Sequence, residues 1–395
     1  MWFKNATLLS LPRDFRIDPL DLETALAGAQ LRTPGDLEFE TRGFVPVIDR
    51  PVMAEFDLIG DPYPPQMSRT ISGATLFAFA TATRLLPASI LQDAVAKLCK
   101  KHEAEHGRRP GKRLRNQFRE QALGELLPRA LVQIKRFNAY WDSRLSLLVI
   151  DTTSDGVAEK VSAALRDALG SLPCRPLSVL ASLPLLMSEW LISRQTPRGF
   201  VLGEECLFKD PSDGTRTITC RNQDLTADDI AEHGRCGNQV TQLGMEYEQR
   251  MGFVLDARCR LRKLEFFDVV ADKLADQEFD DPAARVDAEF TLMALELRGL
   301  FTRLDEILRF ESTAANAIGD LLDNVKRSGM TVTISTGDTE ITLGNGERRV
   351  VQKAARELDD LLREDGASAT LTDSAGNVLG EFGDADSCPA TAVEG

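Results

Sequence analysis

Strand-like runs arrive in adjacent pairs in this chain, and the helical stretches stand apart from them. VQIKRFNAYW (Val132–Trp141) and RLSLLVID (Arg144–Asp151) flank a turn candidate at Asp142–Ser143, and VTQLGMEY, MGFVLD and RLRKLEFF follow one another over residues 240–267. Short apolar runs with period-two alternation, rich in β-branched and aromatic residues, are the mark of strands. Paired strands with segregated helices predict an α+β fold; a doubly wound sheet would interleave strands and helices one by one.

The other elements are read from the same periodicities. Trp2 to Leu11 has the pattern of a half-buried strand, and IDPLDLETALAGAQ follows with Asp18 as N-cap and Pro19 at the first helical position. SGATLFAFATATRLLP (Ser72–Pro87) reads as a strand that Pro87 ends. Helices are predicted over Ser89–Glu105 and Lys112–Leu126, broken apart by Gly107, Pro110 and Gly111, with Leu114, Phe118, Ala122 and Leu126 on one stripe of the second. VAEKVSAALRDALG reads as an amphipathic helix ending at Gly170, GTRTITCRN as a strand, and Thr226 with Asp229 as a capping-box-like start for ADDIAEH. Asp281 and Pro282 supply the N-cap and first-turn proline of a long helix through VDAEFTLMALELRGLFTRLDEILRF.

Several function classes fall away on composition and motif. The chain's 395 residues exceed one core and predict two or three compact units. LSLLVI and SLPLLMSEWLI are too short for the roughly 20 apolar residues of a bilayer span. MWFKNATLLSL alternates apolar and polar positions and lacks the layout of a signal peptide, so a cytoplasmic location is expected, with no membrane partner. Seven cysteines (Cys99, Cys174, Cys206, Cys220, Cys236, Cys259, Cys388) contain no CxxC pair and read as reduced thiols. His233 and Cys236 are spaced like half of a metal site without a second pair, and His102 and His106 share a helical face crowded with cations; no metal site is expected. GxSxG, GxxxxGK[ST] and GxGxxG are absent, and GNGERR (Gly344–Arg349) lacks the phosphate-binding lysine, so no cofactor and no enzyme activity is expected. Asp268, Asp272 and Asp276 could imitate a metal-dependent nuclease, and a solvated acidic face is the plainer reading.

Charge is distributed unevenly. Residues 304–395 carry 18 Asp/Glu against 8 Lys/Arg, which accounts for −10 of the formal −14. They contain two hairpin-like runs, turning at Gly337–Asp338 and Gly376–Asn377, with the helical run ERRVVQKAARELDDLLRE between them, and are expected to form a small α/β module. Lys100–Glu120 is the opposite extreme, with eight Lys/Arg against three Glu. Such local positive charge is the footprint of phosphate-backbone contact, and guanidinium groups can grip phosphate bidentately. The candidate DNA-binding set is therefore Lys100, Lys101, Arg108, Arg109, Lys112, Arg113, Arg115 and Arg119, at the tip of a helical hairpin. The same hairpin could instead dock an acidic protein partner.

Taken in order, MWFKN (Met1–Asn5), GFVPV (Gly43–Val47), LLPRA (Leu126–Ala130), SLPCRPL (Ser171–Leu177), SEW (Ser188–Trp190), GF (Gly199–Phe200), NQDLTADDI (Asn222–Ile230), VTQLGMEYEQRMGFVL (Val240–Leu255) and RVDAEFTLMALEL (Arg285–Leu297) resemble the RdgC family of bacterial recombination-associated proteins. The resemblance implies a non-enzymatic protein, a ring-shaped homodimer whose positively lined hole admits duplex DNA, and binding that is independent of sequence and extends to single strands. It further implies a nucleoid-associated role that restrains the RecA recombinase by occupying DNA. On this resemblance, residues 1–86 and 132–303 form the body, 87–131 a finger, and 304–395 an extension without a counterpart. That extension is read as a competitor for the basic surface or a cover for the base helices, with a protein partner as a third reading.

Two family sites carry over residue by residue. Leu127 and Leu131 fall beside the tip contact that closes the ring; where the family can place an aromatic residue this chain has Leu131, which keeps an apolar contact and loses stacking. Arg129 lies in the same motif and joins the DNA-binding set. The family's basic-basic-Gln-Asp-Leu-Thr run reads Arg221, Asn222, Gln223, Asp224, Leu225, Thr226 here, with one of two positive charges replaced by a neutral amide.

Overall fold

In the computed structural model, the last long helix of the body packs against strands from both large sheets. The structure describes residues 2–12, 15–48, 66–270 and 282–310, together with the backbone of four strands at 332–336, 339–343, 369–373 and 378–382. The first sheet is antiparallel and seven-stranded: β1 (Thr7–Ser10), β2 (Glu40–Val45), β3 (Ser68–Ile71), β4 (Ala74–Leu85), β5 (Leu131–Asp142), β6 (Leu147–Ile150) and β7 (Arg175–Pro176), in the order β2-β4-β5-β6-β1-β7 with β3 also on β4. The second has five strands, β8 (Phe200–Lys209), β9 (Thr217–Arg221), β10 (Gln239–Tyr247), β11 (Met251–Asp256) and β12 (Leu261–Phe266), in the order β12-β11-β10-β8-β9. Antiparallel pairs and segregated helices bear out the α+β expectation.

Helices α1 (Pro19–Gly28) and α4 (Asp155–Leu169) cover one face of the first sheet, where Leu22, Leu26, Val161 and Leu165 pack against Phe44, Phe77, Phe79 and Ile150. Between them in sequence lie α2 (Ala88–His106) and α3 (Lys112–Leu126); α5 (Leu183–Ser193) and α6 (Asp228–Arg235) follow. The final helix of the body, α7 (Pro282–Leu308), places Phe290, Met293, Leu297, Leu300, Phe301, Leu304 and Leu308 in the core between the sheets, the i, i+3, i+4 and i+7 spacing of a buried stripe. With helices on one side and α7 on the other, the first sheet is a middle layer. This corrects the half-buried expectation for the N-terminal strand: Thr7–Ser10 is buried on both faces.

Asp18 caps α1 as expected, its carboxylate accepting the Leu20 N–H at 2.8 Å. Gly170 ends α4 in the left-handed region. Gly43 admits the loop after α1, because a Cβ there would overlap the backbone at Gln30–Leu31. The capping box at Thr226 is not formed. Asp224 takes both the Thr226 N–H (2.9 Å) and hydroxyl (2.6 Å) in an Asx turn, and Ala227 occupies the N-cap position without a side-chain bond. Asp281 lies outside the described residues.

An extension counted from Leu304 begins inside α7, since Leu304 and Leu308 are core residues. Beyond the helix, Phe310 bridges Val179. The two C-terminal hairpins pair as expected, β13 (Val332–Thr336) with β14 (Thr339–Leu343) and β15 (Ala369–Asp373) with β16 (Val378–Phe382), joined through β13–β15 into one sheet. Their turn residues and the helical run between them lie outside the described residues.

Charged pairs tie α7 to both sheets. Arg298, half-buried, donates from Nε to the fully buried Asp142 carboxylate at 2.7 Å and from Nη2 to the Ser72 carbonyl at 3.1 Å, while Arg69 pairs with Asp287 and Arg250 with Glu296. Removing one partner of a buried pair strands the other charge. Arg298→Ala should lower unfolding free energy by about 3 kcal/mol, read by denaturant titration, whereas Arg303→Ala at the surface should change it by about 0.5 kcal/mol or less.

Candidate nucleic-acid interface

The basic segment is inserted between β4 and β5, whose facing ends Leu85 and Leu131 are cross-strand partners. Pro87 lacks an N–H and sits at the N-cap of α2, so the strand stops and the helix starts in two residues. Gly107 closes α2 at φ +66°, its N–H on the Glu103 carbonyl at 2.8 Å, and Gly111 opens α3. α2 packs against α3, yet α2 buries none of its side chains fully and α3 only Ala122. Leu114, Phe118 and Leu126 are half-buried, as their stripe predicts.

Lys100, Lys101, Arg108, Arg109, Lys112, Arg113, Arg115 and Arg119 are all exposed. Arg109 pairs with Glu103 at 3.3 Å; the other seven make no ion pair among the described residues. His102 stacks on His106 with ring centroids 4.2 Å apart and meets the edge of Phe118 at 5.9 Å, so the first imidazole helps join the two helices. Arg129 is exposed on the 3₁₀ turn Leu127–Arg129 that follows α3.

The two leucines assigned to the tip contact part company. Leu131 is 78% exposed and available for a contact, whereas Leu127 is only 2% exposed. Leu127 is committed to the interior of the subunit because its turn folds over Arg84. That arginine, buried between the foot of the hairpin and the loop before β2, donates from Nη1 to the carbonyls of Leu127 (3.0 Å), Pro128 (3.1 Å) and Ala130 (3.3 Å) and from Nη2 to Pro34 (3.0 Å). Arg84 was not legible as a site residue, since nothing in a strand sequence shows where its side chain will find carbonyls.

Arg221 ends β9, the edge strand of the second sheet, and Asn222 and Gln223 follow it; all three are exposed and form a patch on a different sheet from the hairpin. Asn222 adopts φ +52°, a left-handed turn conformation that asparagine tolerates better than lysine or arginine. The Gln223 backbone N–H donates to the Glu204 carbonyl of β8 (3.1 Å) and its side-chain amide to the Arg221 carbonyl (3.4 Å). Buried Leu225 anchors the turn, and the two bonds from Thr226 hold the Asp224 carboxyl below its ordinary pKa.

The remaining candidates form no site. His233 packs its ring against Phe208 at 5.7 Å while Cys236 is exposed, and among the described residues no group of three His, Cys, Asp or Glu could hold a metal. Asp268 is exposed; Asp272 and Asp276 lie outside the described residues. Among the described residues no helix is long and apolar enough to cross a membrane.

With this geometry established, comparison with known proteins is decisive for the family. A family model described as "Putative exonuclease, RdgC" matches residues 1–311. The chain belongs to the RdgC family. Relatives named recombination-associated protein RdgC include one from Xanthomonas campestris pv. campestris, 33% identical over 315 residues, covering 80% of this chain and all of that protein. Those from Xanthomonas oryzae pv. oryzae and Stenotrophomonas maltophilia are each 32% identical over 309 residues, covering 78% of this chain and 98% of theirs. The RdgC match thus ends just past α7, and the acidic extension follows it.

Because Arg84 bonds three carbonyls at the root of the hairpin, Arg84→Met should speed amide hydrogen exchange in residues 126–131 while leaving exchange in β6 and α4 unchanged. Equal acceleration everywhere would mean that Arg84 supports the whole core instead.

Proposed function

We propose that this RdgC protein binds DNA without reading its sequence, as a ring-shaped dimer that encloses the duplex, and that by occupying DNA it restrains the RecA recombinase during recombination. The observation that carries this reading is the set of eight exposed cations on α2, α3 and the turn between them, only one of them in an ion pair among the described residues. Cations left un-neutralised by the protein are free to replace the counterions of a phosphate backbone. Contacts of this kind position a duplex and carry no base information. The relatives' printed name places them in recombination, which suits a protein that covers DNA.

Within this reading, α2 and α3 with the turn after them form the finger, and Arg221 and Gln223 add contacts from the second sheet. Asn222 contributes a turn, not charge. The acidic extension acts as a tethered competitor for the basic surface, since tethering gives it a high local concentration there.

The test is binding to two unrelated duplexes, and to a single strand, across a salt titration. Affinity should be equal for the two sequences and fall linearly with log salt. Changing Arg108, Arg109, Lys112 and Arg113 together to Glu should remove most of the affinity and flatten the salt slope by about 3 to 4, at roughly 0.9 for each phosphate that the protein no longer neutralises. Unchanged affinity would move the basic hairpin to an acidic protein partner. A chain ending at residue 311, which keeps α7 whole, should bind several-fold tighter at low salt than the full chain; equal binding would remove the extension from the electrostatics. The family description raises nuclease activity, and shortening of the DNA only when Mg²⁺ is added would establish it.

A further inference from the structure

Strand β9 lies at the edge of the second sheet and, among the described residues, pairs with β8 alone. It is lightly anchored: of Thr217–Arg221 only Cys220 is buried, and Ile218 is half-buried against the core. Cys220 stands directly opposite Cys206 of β8, with the pairs Glu205–Arg221 and Leu207–Thr219 on either side. Both thiols are free, and at 9% and 3% exposure they sit in the same core cluster.

Residues directly opposite on antiparallel strands share one face of the sheet, with Cα atoms roughly 4.5–5.5 Å apart. A disulfide closes over Cα separations of roughly 4.4–6.8 Å, so this register needs no rearrangement of the backbone to bridge the two sulfurs. The two thiols are not equivalent. Burial, and after it the neighbouring Cys220 thiol, pushes the Cys206 pKa well above its ordinary value, and Cys206 stays protonated. Cys220 is on the edge strand and is the more exposed of the two, so a small oxidant reaches it first.

We propose that Cys206 and Cys220 are a redox pair that closes to a disulfide with hydrogen peroxide as the oxidant, pinning β9 to β8 immediately before the Arg221–Gln223 turn. The Cys220 thiolate attacks one peroxide oxygen, the O–O bond breaks, and hydroxide leaves, giving a sulfenic acid. The Cys206 sulfur then attacks the Cys220 sulfur; the S–O bond breaks and the hydroxyl departs as water with the Cys206 proton. In sum, two thiols lose two electrons and two protons to one peroxide, and one disulfide and two waters form. A dithiol reductant reverses the bond by exchange. The pair stands on the ladder geometry and is independent of the DNA-binding reading.

The test treats the reduced full chain with hydrogen peroxide, blocks remaining thiols with N-ethylmaleimide in denaturant, and maps the peptides by mass. A peptide holding Cys206 joined to one holding Cys220 should form, and dithiothreitol should separate them. Cys220→Ala should abolish the link and leave Cys206 reduced, whereas Cys206→Ala should drive Cys220, without its resolving partner, on to sulfinic acid. Should either variant fail to fold, the map of the parent chain decides. Sulfinic acid at Cys220 beside an unreacted Cys206 in the parent chain would overturn the pair. So would oxidation of the exposed Cys236 with both thiols of the pair intact. Oxidation should also slow amide exchange in residues 217–223 by about tenfold, and unchanged exchange would overturn the pinning of β9.

Discussion

The pair between Arg298 and the buried Asp142 holds the body together at the point where its layers meet. Asp142 ends β5, Ser72 lies in the turn between β3 and β4, and Arg298 reaches both from the middle of α7. A charge this deeply placed is tolerable only when its partners are fixed, and here Asp142 also accepts the backbone N–H groups of Arg144 and Leu145 at 3.0 and 3.2 Å. Around the pair, α7 contributes Phe290 against Tyr140, and the segment before β1 adds Phe3 against the same ring. The long helix thus positions both sheets, and through the sheets it sets where the two basic patches stand.

The same arrangement explains how a finger can be added to a sheet without disturbing it. β4 and β5 remain partners to their last residues, so the chain leaves and re-enters the sheet across one cross-strand pair, Leu85 and Leu131. Everything between those leucines is free to pack on itself, and α2 and α3 do so with almost no fully buried surface. The mutual packing of so small an apolar stripe gives modest stability, and Arg84 compensates by holding three carbonyls of the root of the hairpin and one of the loop before β2. Positive charge is thereby concentrated on an element whose helices do not need that surface for their own packing.

Much of this fold was legible from local chemistry. Asp18–Pro19, Gly107, Gly170 and the apolar stripe of α7 act through their nearest neighbours, and the elements they define stand where the sequence places them. β3, β7 and α5 escaped notice because they are short or, for α5, apolar around most of the helix, which leaves no clear period. Thr226 failed as a cap because Asp224, two residues earlier, captured both of its donors. At the candidate interface the cations were legible as a cluster, since exposure follows from charge. Leu127 and Arg84 were not, because each depends on residues dozens of positions away.

The net charge of −14 is a poor guide to what such a molecule binds, since it is an average over surfaces that a polyanion never meets together. At physiological salt, fields decay over about 8 Å, so a duplex responds to the groups directly beneath it. Over residues 1–303 the imbalance is 43 acidic against 39 basic side chains, small enough for one basic hairpin to dominate locally. The remaining acidity lies in the extension, on one tether. Under the proposed reading it competes with DNA for any basic surface within its reach, and raising the salt weakens both contacts. The steeper of the two dependences then decides which is released first, and duplex DNA, with one charge per roughly 1.7 Å of axis, is the denser polyanion.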